Sequence, residues 1–146
     1  MPIKQSIESN PGFVDIEGVA SQVYNEAAFH YFLSLELNRA NRSARRLLLV
    51  LVSLRKRDRE RIVLPPRTAA AVFAALTTCV REVDFVGWHR DGLVAAALLA
   101  MSGVATARAR QIVWDRVANE LDQRLTKEET ARLLVRVAEL GHSSKL

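Results

Sequence analysis

The sequence predicts an α+β domain in which a mostly antiparallel central sheet is flanked by helices. Three observations carry this expectation. Helical stripes alternate with short apolar runs in the order helix, strand, helix, strand, strand, helix, strand. The run Leu47-Leu48-Leu49-Val50-Leu51-Val52 shows no polar alternation, as expected of a central strand covered on both faces. Asp91-Gly92 stands between two apolar segments, a strong short-range hairpin signal because Gly supplies positive φ without steric cost. A small mixed sandwich is the other arrangement this order allows.

Residues 1–20 contain Pro and Gly in a mixed setting and read as a loosely ordered lead-in to a domain over residues 21–140. A helix is predicted from Ser21 to Ser43, with Phe29, Phe32, Leu33, Leu37 and Ala40 on one face. After the Leu47–Val52 strand, a charged segment runs to Pro65-Pro66, which opens the next helix. That helix, Arg67–Val80, turns Ala69, Val72, Phe73, Leu76 and Cys79 or Val80 inward. The hairpin pairs Val83–Trp88 with Leu93–Leu99. A helix over Thr106–Arg124 carries the stripe Val113, Trp114, Val117, Leu121 and Leu125, and Thr126 can cap a short helix after it. Leu133–Val137 reads as a last strand, and residues 141–146 form a polar tail.

At 146 residues the chain is one domain's worth, with a core that needs no disulfide or metal. The single cysteine, Cys79, excludes an internal disulfide and reads as a buried structural thiol. Apolar runs fall far short of the ~20 residues of a membrane span, and Met1-Pro2-Ile3-Lys4 opens no secretory signal, so a cytoplasmic location is expected. The net charge of +5 is concentrated in Arg39, Arg42, Arg45 and Arg46, and again in Arg55, Lys56, Arg57, Arg59 and Arg61. Such clusters can hold phosphates, but Asp58 and Glu60 dilute the second, and a solvated rim is the preferred reading. Without a helix-turn-helix, zinc or RNA-binding motif, nucleic acid ranks last among the partners. His30, His89 and His142 are scattered, with no pair at metal-ligand spacing, so no metal or other cofactor is expected. Asp15 and Glu17 precede the first helix and favour its N-terminus electrostatically.

Several short motifs fall in a shared register. Tyr24-Asn25-Glu26-Ala27-Ala28-Phe29 is similar to an N-R-x-x-F segment with Glu26 in place of the Arg, and Glu36-Leu37-Asn38-Arg39-Ala40-Asn41-Arg42 to an E-x-x-R-A-x-R helix end. Arg81-Glu82-Val83-Asp84 matches R-x-x-D, and Phe85 to His89 then separate it from the tip Arg90-Asp91-Gly92-Leu93-Val94. In this order and spacing the chain resembles a degenerate GGDEF domain, the domain of the diguanylate cyclases. The resemblance implies their nucleotidyl cyclase palm-like fold, with Leu49–Leu54 as the first strand.

The resemblance also shows what has been replaced. Ser53 stands where active members carry a magnesium-binding Asp, Gly92 at the metal-binding acid of the tip, and Leu93 at the neighbouring Glu. Arg90 and Asp91 replace the tip glycines, and Leu54-Arg55-Lys56-Arg57-Asp58 lacks the family's nucleotide-binding Phe-Lys and Asn-Asp pairs. A hydroxyl is a poor ligand for a hard dication, and phosphoryl transfer is almost wholly positioning and charge neutralisation. No cyclase activity is therefore expected.

What the resemblance retains is Arg81 with Asp84, the pair that in the family binds cyclic di-GMP at an inhibitory site. A guanidinium fork suits phosphate or the guanine acceptor edge, and a carboxylate accepts from guanine N–H groups. The expected function is that of an inactive signalling domain that binds cyclic di-GMP and relays it to a protein partner. The competing readings are a ligand-independent scaffold of the same fold and, for Arg81 and Asp84, an exposed corner ion pair worth ~0–1 kcal/mol. Trp88, His89 and Arg90 beside the tip are the candidate partner contacts.

Overall fold

The computed structural model describes residues 12–19, 22–43, 45–55, 62–80, 84–101 and 106–141. Two short strands, β1 (Phe13–Val14) and β2 (Val23–Tyr24), precede helix α1 (Glu26–Ser43) and the long strand β3 (Arg46–Leu54). Helix α2 (Pro66–Cys79) leads into the hairpin strands β4 (Phe85–Arg90) and β5 (Val94–Met101). Helix α3 (Thr106–Arg124), a single turn and a half of α4 (Lys127–Ala131) and strand β6 (Leu133–Leu140) complete the order. The strands form one sheet in the order β1-β2-β4-β5-β3-β6. Its pairings are antiparallel except for the parallel contact of β2 with β4.

Helices cover both faces, which explains the unbroken hydrophobicity of β3. Leu47 and Leu49 pack with Phe29, Leu33 and Ala40 of α1. Leu48, Val50 and Val52 face the other way, into a core shared with Val72, Phe73 and Leu76 of α2 and with Val117 and Leu121 of α3. Strand side chains alternate between faces, so a strand with two covered faces needs apolar residues at every position.

Local chemistry sets the element boundaries. The first helix begins at Glu26 rather than Ser21, because Asn25 caps it: its Oδ1 accepts from the Ala28 N–H at 2.9 Å. The apolar Val23-Tyr24 pair before this cap joins the sheet instead. Helix α2 starts with Pro66 in its first turn, where a missing N–H costs nothing, and Val80 past its end is extended. Thr126 and Glu129 form a reciprocal capping box: Thr126 Oγ1 accepts from Glu129 N at 3.1 Å and Glu129 Oε1 from Thr126 N at 2.8 Å. The Thr126 backbone N–H stabilises the ionised Glu129 and lowers its pKa.

Trp114 departs from the predicted stripe. It is 40% exposed and reaches over the sheet edge, where its Nε1–H donates to the Val135 carbonyl of β6 at 3.0 Å. An indole has an apolar body and one polar handle, and here the handle covers an edge-strand acceptor. Cys79 is buried and free, and burial, then the nearby Glu120 charge, raises its thiol pKa.

Candidate functional site

The β4–β5 hairpin is formed as its turn residues dictate. Gly92 takes φ +74°, and Leu93 N donates to Arg90 O at 2.9 Å to close the turn. The tip is tied from one side by the segment ahead of α2, whose Leu64 N–H donates to Gly92 O at 2.8 Å.

Along β4 the alternation separates the predicted contact residues. Val86 and Trp88 point into the α2 face, and Trp88 is only 6% exposed, its ring edge-on to Phe73 at 4.9 Å. Trp88 is thus a core residue and not a surface contact, because its strand position shares a face with Val86. Arg90 is exposed and His89 half-buried. His89 lies where the ladder slips: Trp88 pairs with Ala95 and Arg90 with Val94, so β4 carries an extra residue.

His30 of α1 fills the space beside that irregularity. Its Nε2 is 2.7 Å from the His89 carbonyl oxygen, and the two imidazole rings lie 4.7 Å apart. One helical turn earlier, Glu26 Oε1 accepts from the Asp91 backbone N–H at 2.6 Å. These side chains line a concavity of about 520 Å³ with Arg90 and Leu93. Burial lowers the His89 pKa, and His30 and Arg90 lower it further. Sequence reasoning left these histidines as scattered; they meet because β4 passes under α1, a tertiary relation with no short-range signal.

A second cleft, of about 730 Å³, lies on the opposite side of the hairpin. Trp88 and Leu64 are buried in its floor, with Asp15 and Glu17 on the lead-in side and Arg67 at the start of α2. Ser53, at the end of β3, is directly opposite Val94 and Leu134. The fold thus gathers Ser53, Gly92 and Leu93 near one end of the sheet, but these side chains are not the carboxylates that a magnesium ion needs. Among the described residues no group of three or more His, Cys, Asp or Glu could hold a metal ion.

Arg81, with Glu82 and Val83, lies outside the described residues, as do His142 and the charged segment Lys56–Arg61. Asp84 is half-buried immediately before β4, where its Oδ1 accepts from the Ala100 N–H of β5 at 2.9 Å. In the first arginine cluster, Arg39 pairs with Glu36 at 2.8 Å and Arg46 with Glu139 at 3.2 Å, while Arg42 and Arg45 are exposed. Among the described residues no helix is long and apolar enough to cross a membrane.

Solved structures place this architecture. The chain is similar to the GGDEF domain of DgcB from Caulobacter crescentus, solved in complex with c-di-GMP: TM-score 0.65, 11% identity, 93% of this chain and 81% of that one. It is similar to the FimX GGDEF domain from Pseudomonas aeruginosa, with TM-score 0.62, 14% identity and coverage of 91% and 85%. A diguanylate cyclase protein from Thermotoga maritima gives TM-score 0.57 at 21% identity over 80% of this chain and 79% of that one. No protein-family model matches the chain, and no curated protein matches it in sequence. The chain has the GGDEF-domain fold. At these identities the likeness is one of fold.

Proposed function

We propose that this domain has exchanged cyclase chemistry for a receptor role, binding cyclic di-GMP through Arg81 and Asp84 and passing that state to a protein partner in the cytoplasm. The observation that carries this reading is the donor set at the hairpin end. Ser53, Gly92 and Leu93 stand at the positions the resemblance equates with metal-binding acids, while Asp84 remains at the start of β4. With these acids replaced, the site lacks the donors through which a hard dication neutralises a triphosphate. A guanidinium and a carboxylate can still recognise phosphate and guanine edges. His89 and Arg90 are the hairpin residues available to a partner.

A second reading is favoured by the hydrogen bond from Ala100 N to Asp84 Oδ1. Asp84 then serves the hairpin's own geometry, and the domain is a scaffold that binds its partner without ligand. Isothermal titration with cyclic di-GMP separates the two. The receptor reading expects saturable heat, weakened roughly tenfold or more by Arg81→Ala through loss of a charge-assisted contact. A folded protein giving no heat at high micromolar ligand leaves the scaffold.

A further inference from the structure

The hairpin tip is gripped by one face of α1 at two points. An extra residue in a strand leaves backbone groups outside the ladder, and here the bulge falls at His89. Its carbonyl is satisfied by His30 Nε2 at 2.7 Å. A carbonyl only accepts, so His30 carries its proton on Nε2. Two residues further, the Asp91 N–H is satisfied by Glu26 Oε1 at 2.6 Å. Glu26 and His30 are four apart on a helix and therefore share a face.

We propose that the His30 arm of this double contact is an acid-released clasp, in which joint protonation of His30 and His89 parts α1 from the bulge at His89. The inference does not depend on cyclic di-GMP binding. With both rings neutral, or only His30 charged, the bond to the His89 carbonyl stands. Charging both places two imidazolium rings 4.7 Å apart, half-buried. Arg90 of the tip and Arg136 of β6 add positive potential at His89, and Glu26 opposes it. Asp91 is the other acid lining the concavity, and its backbone already engages Glu26. Burial and the neighbouring cations already depress the His89 pKa, so protonation works against the folded arrangement. The clasp is therefore intact at and above the ordinary histidine range near 6.5, and it opens only as pH falls through the depressed His89 pKa below that range. The tip then keeps its Asp91 N–H to Glu26 Oε1 bond at 2.6 Å and, on its other side, the Leu64 N–H to Gly92 O bond at 2.8 Å.

The test is amide and imidazole NMR on the full chain from pH 7.5 down to pH 5. The His89 ring should titrate below the ordinary histidine range, with the Asp91 amide resonance moving alongside it. His30→Gln, whose amide can still donate to the carbonyl, should return the His89 titration upward, since it removes a neighbouring like charge. His89→Phe should abolish the movement of the Asp91 amide over this range. A His89 titration unaltered by His30→Gln, or an Asp91 amide that ignores histidine protonation in the wild type, overturns the clasp.

Discussion

The Asp84 carboxylate accepts a hydrogen bond from the backbone N–H of Ala100, with Oδ1 at 2.9 Å. The register of β4 with β5 runs from Phe85 opposite Leu98 toward the tip, so Asp84 extends the hairpin's attachment by a side chain. An exposed Arg–Asp pair would contribute almost nothing to stability. A half-buried carboxylate serving a backbone donor is different. Asp84→Ala should cost about 1–3 kcal/mol, because Ala100 loses a charge-assisted partner. Asp84→Asn retains an acceptor oxygen and should stay nearer wild type. Urea unfolding of both variants checks the order. Equal stability of wild type and Asp84→Ala would return Asp84 to a purely ligand-facing role.

Gly87 sits where the parallel pairing of Tyr24 with β4 brings two strands under α1. A Cβ there would lie 2.7 Å from Tyr24 O, 2.8 Å from Tyr24 Cβ and 2.9 Å from Phe29 Cδ1. Backbone and core ring must both move to admit one methyl. Gly87→Ala should therefore destabilise by about 1–3 kcal/mol, the usual cost of overpacking a filled core. A lowered denaturant midpoint is the expected readout, and wild-type stability would show that β2 yields without cost.

Most of the architecture was legible because its signals are local or periodic. The two-faced run of β3, the Asp91-Gly92 turn, the span of α3 and the Thr126 cap each rest on a few adjacent residues. The strands Phe13–Val14 and Val23–Tyr24 were not legible, because two residues make no period, and the approach of Tyr24 to β4 depends on the distant Gly87. The hairpin's strand parity put Trp88 inside and His89 outside the α2 core, and no composition rule separates them. His30 and His89 are 59 residues apart, and a bulge decides that the carbonyl between Trp88 and Arg90 is free for His30. Such a site is created by packing, after the local rules have been satisfied.

Cys79 offers a check on the packing between α2 and α3. Burial raises its pKa first, and the Glu120 carboxylate adds to this against weaker opposition from Arg116 and Arg124. The thiolate is the reactive form, so the native thiol should be slow toward a disulfide reagent at pH 8 and fast in denaturant. Rapid native labelling would show that the α2–α3 contact opens readily.

The hairpin end makes the sharpest demand on chemistry. Joining two GTP molecules requires the triphosphate charge to be neutralised as the leaving group departs, and in the cyclases a metal held by acids does this. Ser53, one residue before the end of β3, lies opposite Val94, and Gly92 and Leu93 stand where the resemblance puts the metal-binding acids of the tip. Magnesium and manganese both need anionic oxygen donors, so exchanging one for the other should not help. Purified protein with GTP and either ion should yield no cyclic di-GMP by chromatography. Ser53→Asp should remain inactive as well, because one carboxylate restores only part of the donor set while Gly92 and Leu93 are unchanged. Product above background from the wild type would mean that other residues hold the metal, and the receptor reading would lose its main support.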